Sequence, residues 1–340
     1  MRIRLILLVV LLARTAAAQT PDTANRASRA IVRGFVRDSL AHAPLAGAII
    51  QLVPASDPNG VVRTAMSDST GMFMLKDVPE GFFVIGFFHP ILDSLGVEPL
   101  LHKLYIYGTK PVQADLGIPG PSQFRSAICG NESQKTGAVL VGIVRDAEGG
   151  KPIEGATVSG EWLEMSFRKG TVTRRVPRLV ATTAKNGWFG MCNVPKSGTM
   201  MLRASRGADS TGRIEVYVPE EGFLRHELYL GSAQTVLTGD TTRSRLASAA
   251  PPRRMHFGQG HLSGTVTSLS GGNPLANAQI GIADGPQTRT NARGEWSISD
   301  APTGTHMLEI RALGYYPERR RVDVVTDAAP LRTALSTLRA

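Results

Sequence analysis

Along most of the chain the apolar residues fall into short runs that alternate with polar positions. Ile31 to Val36, Ala48 to Val53 and Phe82 to Phe88 are rich in β-branched or aromatic residues, are bounded by turn residues and are too short for typical helices. They are predicted to be strands. Asp68-Ser69-Thr70-Gly71 and Lys185-Asn186-Gly187 have the composition of hairpin turns, the glycine supplying the positive φ such turns need. Past the turn glycine, alternation brings the second and fourth residues to one face: Phe73 and Leu75, Phe189 and Met191, Trp296 and Ile298. All six are large and apolar, so that face is the predicted core.

The same pattern occurs three times. Gly34-Phe35-Val36-Arg37-Asp38 is followed, ten residues after its glycine, by Pro44-Leu45-Ala46-Gly47-Ala48. Gly142-Ile143-Val144-Arg145-Asp146 leads at the same distance to Pro152-Ile153-Glu154-Gly155-Ala156, and Gly264-Thr265-Val266-Thr267-Ser268 to Pro274-Leu275-Ala276-Asn277-Ala278. A second block contains the turn glycines Gly71, Gly187 and Gly294. Eight residues after each comes a proline, Pro79, Pro195 or Pro302, and then a turn glycine, Gly81, Gly198 or Gly304. Two fixed spacings in triplicate identify an internal repeat. The second copy is the longest, with an insertion around Glu161 to Val180 of the kind surface loops tolerate.

About seven strands per copy, with turns roughly ten residues apart, fit a two-sheet sandwich. The expected architecture is all-β: three tandem Ig-like seven-stranded β-sandwiches at 30–117, 137–231 and 260–328. Linkers are expected at 118–136 and 232–259. The second contains Thr241-Thr242-Arg243-Ser244-Arg245 and Pro251-Pro252-Arg253-Arg254, has little to bury, and is expected to be flexible.

The order G-x-V-x-D, P-L-x-x-A, T-D-x-x-G-x-F and V-P-x-G resembles the carboxypeptidase regulatory-like domain. Leu313-Gly314-Tyr315-Tyr316 adds the G-Y that commonly follows. The resemblance extends over the three repeats and implies a transthyretin-like β-sandwich. It also implies the settings in which such domains occur: beside metallocarboxypeptidases, at the N-termini of outer-membrane TonB-dependent receptors, and in tandem in bacterial envelope proteins. Its motifs specify fold, not activity. Two positions depart from the pattern: Ser268 stands where the other copies have Asp38 and Asp146, and Ala184 where the family prefers Asp.

The first residues bear on compartment. Arg2 and Arg4 precede the apolar run Leu5 to Leu12, and Ala16-Ala17-Ala18 supplies small residues for cleavage. A signal peptide at 1–18 is expected. The run is too short to span a bilayer, which takes about 20 apolar residues. Later stretches are also too short, so no transmembrane helix is expected after cleavage. Export to the periplasm, the cell surface or the medium follows. Two cysteines in an exported chain favour a Cys129–Cys192 disulfide. The net charge is +10. Loss of Arg2, Arg4 and Arg14 with the leader makes it +7, too modest to point to nucleic acid in an exported chain.

Catalytic and metal-binding signatures are missing. His226-Glu227 begins like a zinc-peptidase helix, but Leu230 stands where the second His is required, and the stretch alternates like a strand. No G-x-S-x-G elbow or phosphate loop occurs. No enzyme activity, metal or cofactor is expected. Binding candidates are Trp188, which alternation points away from its own core, and Trp162 in the insertion. Either can stack on a sugar or anchor a protein, or else pack against a neighbouring segment. Arg319-Arg320-Arg321 reads as a solvated strand edge, with an anionic contact as the sharper alternative. The expected role is non-catalytic binding or scaffolding in the cell envelope, with an envelope protein or a polysaccharide as partner. The alternatives are carbohydrate binding through a shared Trp188–Trp162 platform, and service as an accessory subunit of a separately encoded peptidase or TonB-dependent receptor.

Overall fold

The structure, a computed structural model, describes residues 29–57, 60–98, 100–130, 137–168, 170–238 and 253–338. The leader expected at 1–18 lies outside the described residues.

The first sandwich comprises β1 (Arg29–Asp38), β2 (Ala43–Pro44), β3 (Ile49–Pro54), β4 (Arg63–Met66), β5 (Met72–Pro79), β6 (Gly81–Phe88), helix α1 (Pro90–Leu95), β7 (His102–Ile106), and a broken last strand, β8 (Val112–Gln113) and β9 (Leu116–Gly117). Helix α2 (Pro121–Cys129) follows. The second contains β10 (Ala138–Asp146), β11 (Thr157–Glu161), β12 (Glu164–Arg168), β13 (Thr171–Arg175), β14 (Arg178–Thr182), β15 (Trp188–Val194), β16 (Gly198–Arg206), β17 (Asp209–Ser210), β18 (Ile214–Val218) and β19 (Phe223–Leu230). Strands β20 (Gln234–Thr238) and β21 (Arg253–Phe257) pair with each other. The third contains β22 (Gly260–Ser268), β23 (Gln279–Ile282), β24 (Gln287–Arg289), β25 (Glu295–Ala301), β26 (Gly304–Arg311), β27 (Glu318–Val324) and β28 (Leu331–Leu335).

One plan serves all three. The first strand of each copy lies between an antiparallel and a parallel partner: β5-β1-β8/β9, β15-β10-β19 and β25-β22-β28. The facing sheets run β4-β3-β6-β7, β14-β11-β16-β18 and β24-β23-β26-β27.

The repeat residues explain this plan. Gly34 pairs with Phe73, Gly142 with Phe189 and Gly264 with Trp296, and all three aromatic residues are buried. A Cβ at any of these glycines would strike the carbonyl of Ala114, His226 or Leu331 on the parallel strand and crowd the aromatic ring. The slot beneath the ring therefore takes only glycine. Ser67, Thr183 and Thr290 are buried for a second reason. Their hydroxyls accept from the N–H of Ala48, Ala156 and Ala278 and donate to the carbonyls of Leu45, Ile153 and Leu275, at 2.6–2.9 Å. One oxygen thus satisfies a donor and an acceptor that would otherwise be buried unpaired. Asp38 accepts from the N–H of Leu40 and Ala41, and Asp146 from those of Gly149 and Lys151, closing the turn after the first strand. The Ser268 hydroxyl bonds instead to that of Ser270 at 3.1 Å.

Three expectations are corrected. The segment 118–136 carries helix α2, whose Phe124 is buried together with Ile118. The ends of 232–259 form the β20–β21 pair, while residues 239–252 lie outside the described residues. The third sandwich does not end at 328: its closing strand is β28, whose inward residues Thr333 and Leu335 are buried. The arginine-rich β27 is therefore the next-to-last strand. The polar Thr333 at an inward position hides the alternation of β28 in the sequence.

The sandwiches are joined through their cores. Leu92 and Leu95 of α1 and Phe124 of α2 share a buried cluster with Val139 and Val141 of β10, so β10 is covered on both faces. The Phe124 and Phe223 rings are 5.1 Å apart, and Arg125 donates to the Glu221 carbonyl at 2.8 Å. Cys129 and Cys192 form a disulfide between α2 and β15, with Cα atoms 5.8 Å apart. Further on, Leu230 of β19 pairs with Gly304 of β26, Met307 enters the second core, and Arg319 binds Glu215 at 3.0 Å.

Candidate functional site

The two tryptophans are not brought together. Trp188 leaves the core that Phe189 enters, as alternation requires, and packs against the first sandwich. Its indole lies over Gly96, the left-handed residue (φ 68°) that ends α1, where any Cβ would meet the ring. Its Nε1 is buried without a hydrogen-bond partner among the described residues. Trp162 packs on the second core, and its Nε1 donates to Glu164 Oε1 at 2.8 Å. One indole serves a joint and the other caps a core, so they form no shared platform for a sugar.

The arginine run lies on β27, a sheet edge, and its charges are answered locally. Arg319 binds Glu215 and Glu309, Arg320 lies 3.9 Å from Glu318, and Arg321 lies 3.8 Å from Asp323. Arg321 also donates to His226 Nδ1 at 2.7 Å. Burial, and then Arg321, push the His226 pKa down to about 4. On the neighbouring β10 and β19, Arg145 pairs with Glu227. Among the described residues no three His, Cys, Asp or Glu side chains converge to hold a metal ion.

A different surface emerges when the three copies are compared position by position. On the outward face of the second sheet, the first sandwich pairs Ile49 with Phe88, Gln51 with Gly86 and Val53 with Val84. The same places hold Thr157–Ser205, Ser159–Arg203 and Glu161–Met201 in the second, and Gln279–Arg311 and Gly281–Glu309 in the third. On the flanking strands, Met66 lies opposite Ile49 and Tyr105 opposite Phe82. Their counterparts are Thr182 and Tyr217, then Arg289 and Asp323. The third face is polar and charged, the second is mainly so with Val180 and Tyr217 as exposed exceptions, and the first is mainly aromatic and aliphatic with Gln51, Thr64 and Lys103 among it.

The apolar face is open to solvent. Phe82 is 68% exposed, Met66 66% and Phe88 50%. The Phe82 and Tyr105 rings lie 4.3 Å apart. Beside them is a cleft of about 340 Å³ lined by Gln51, Val53, Pro54, Ala55, Val84, Gly86, Phe88 and Leu101. Gly86 forms its floor; a Cβ there would come within 2.7 Å of Leu101 Cδ2, so the missing side chain lets Leu101 lie across the sheet. The sister positions, Arg203 and Glu309, carry long charged side chains. Since the third copy folds with a charged face and the second with a mainly polar one, the sandwich does not need an apolar one. An exposed apolar patch of this kind marks a contact surface.

A signal for this face is present in the sequence. Gly81-Phe82-Phe83-Val84-Ile85-Gly86-Phe87-Phe88 has no polar position, whereas Gly198–Arg206 and Gly304–Arg311 interleave Arg203 or Glu309 with apolar residues. The run identifies a strand; its departure from its sister strands identifies the site.

Residues 261–336, within the third sandwich, match the family model of the carboxypeptidase regulatory-like domain. No curated protein matches the chain. Among solved structures, the chain is similar to the Bacillus anthracis TIE protein at 12% identity, covering 91% of this chain and 50% of that one with a TM-score of 0.24. It thus spans half the length of that protein's chain. It is also similar to the Streptococcal ancillary pilin (10% identity, 91% and 99% covered, TM-score 0.22). A third is BcpA, the major pilin subunit of Bacillus cereus (10% identity, 91% and 100% covered, TM-score 0.26). Likenesses this distant carry no functional argument.

Proposed function

We propose that this is an exported, non-catalytic binding or scaffolding protein of the cell envelope, and that the outward sheet face of its first sandwich is the contact surface for another envelope protein. One observation carries the reading: of three topologically equivalent faces, the first alone is built from Ile49, Met66, Phe82, Phe88 and Tyr105, and it is exposed. Aromatic and Met residues with few charges are the composition of interface centres. Export is supported by the leader pattern and by the disulfide. Among the described residues no helix is long and apolar enough to cross a membrane. The first two sandwiches repeat the topology and glycine–aromatic register of the third, which supports placing them in its family. An accessory role beside a separately encoded peptidase or receptor fits an apolar protein-binding face; no geometry here favours a sugar platform.

The test is site-specific photo-crosslinking in intact cells. A crosslinking amino acid at Phe82 or Phe88 should capture one and the same protein, while the sister positions Ser205 and Arg311 should not. Absence of crosslinks from Phe82 and Phe88, or equal crosslinking from all three faces, overturns the assignment. Hydrolysis of a peptide or ester by the pure protein overturns the non-catalytic part.

A further inference from the structure

The insertion in the second sandwich has no counterpart in the common plan. Strands β12 and β13 form a two-stranded sheet that pairs with no other strand among the described residues. Such a ribbon is marginal in water on its own. Its register sorts its side chains cleanly. Met165 lies opposite Arg174 and Phe167 opposite Val172 on one face; Glu164 opposite Arg175 and Ser166 opposite Thr173 occupy the other. The Trp162 N–H donates to the Pro177 carbonyl at 3.3 Å, continuing that register and setting Leu163 opposite Val176 on the first face. Leu163, Met165, Phe167, Val172 and Val176 are each more than half exposed, Phe167 to 74%.

We propose that this ribbon docks on a bilayer surface containing anionic lipid, with its apolar face entering the boundary between headgroups and acyl chains and Arg174, on that face, meeting the phosphates. Charge complementarity selects this occupant. The nearby carboxylates are engaged within the protein: Glu161 lies 3.5 Å from Arg178 and 3.9 Å from Arg213, and Glu164 accepts from the Trp162 indole. Arg174 and Arg175 are exposed and have no carboxylate partner among the described residues. Arg174 shares the apolar face, where its aliphatic stem can lie along Met165 while the guanidinium reaches the headgroup level. A contiguous row of five apolar side chains has no use against a hydrated acidic polysaccharide. Beside cations it matches an interfacial surface, where apolar burial and headgroup attraction act together.

Co-sedimentation of the full chain with phosphatidylglycerol/phosphatidylethanolamine vesicles, and with phosphatidylcholine vesicles, tests this. Binding is expected on the anionic vesicles and should weaken with salt. Arg174→Glu should lower partitioning roughly tenfold or more, and Arg175→Glu, on the other face, should lower it less. Met165→Ser with Phe167→Ser should lower it about as much. Phe82→Ser with Phe88→Ser should leave it unchanged, which separates this surface from the protein-binding face of the first sandwich. These positions are exposed, so circular dichroism should show an intact fold. As a second measurement, the fluorescence of a Phe167→Trp variant should be quenched by brominated lipid. No binding to anionic vesicles overturns the proposal. So does binding that survives Met165→Ser with Phe167→Ser, is lost with the charge reversals and is reproduced on heparin; that outcome assigns the ribbon to polyanions.

Discussion

Acidification should loosen the joint between the second and third sandwiches. His226 on β19 is largely buried, and its Nδ1 accepts from the Arg321 guanidinium at 2.7 Å, so a proton placed there would bring two cations into contact. Arg145, Glu227 and Asp323 complete the charged surroundings. His306 on β26 is 5% exposed, with Nε2 bonded to the Thr303 carbonyl at 3.0 Å. Its Nδ1 faces Gly212 of the second sandwich. Burial pushes the His306 pKa down to about 4, against an upward pull from the hydrogen bond to Thr303 and with a smaller downward push from His256. Both groups start from 6.5 in the unfolded chain and reach about 4 in the folded one. Between these values the unfolded chain binds more protons, so stability is present above the window and is lost as pH falls through it. At pH 4.5 the loss relative to pH 7 is on the order of 2–3 kcal/mol for each imidazole. Urea unfolding at the two pH values measures it, and His226→Gln with His306→Gln should remove most of the difference. The reasoning is refuted if the double variant keeps the wild-type pH dependence. It is equally refuted if NMR shows either imidazole titrating near 6.5 in the native protein.

Two further predictions concern the repeat and the crosslink. Thr183→Val keeps the shape of the side chain but leaves the Ala156 N–H and Ile153 carbonyl without their 2.8 and 2.6 Å partner; it should cost about 1–3 kcal/mol in chemical denaturation. Thr290→Val should behave alike, and a negligible loss at both positions would contradict the account of the repeat. Reducing Cys129–Cys192 opens a loop with a sequence separation of 63, worth about 4 kcal/mol in the chain-entropy estimate. Reductant should therefore lower the melting temperature of the wild type but not of a Cys129→Ser, Cys192→Ser variant.

Much of the fold is legible from local chemistry. The spacing from Gly142 to Pro152, and the turn ending at Gly187, encode a register because the parallel strand and the Phe189 ring leave no room above Gly142. The same holds at Gly34 and Gly264, which is why three copies can be recognised without an alignment. The joints are harder to read. Ala138-Val139-Leu140-Val141 is apolar at every position, whereas β22 alternates; that difference is the trace left by α1 and α2 on the outer face of β10. The sequence gives the same kind of trace for β6, an unbroken apolar run, yet β6 meets solvent where β10 meets helices.

The amino-acid order alone determined most strands of the repeat, its turns, the inward faces after the turn glycines and the triplication, since each depends on neighbours within about ten residues and on the two-residue period of a strand. Which apolar outer face is covered by another part of the chain, and which is left for a partner, was decided only in three dimensions. Trp188 and Phe88 are both outward-pointing aromatic residues on strands; one is closed over by Gly96 from another sandwich and the other is open. The covering segments lie far away in sequence, and alternation carries no information about what arrives from a distance.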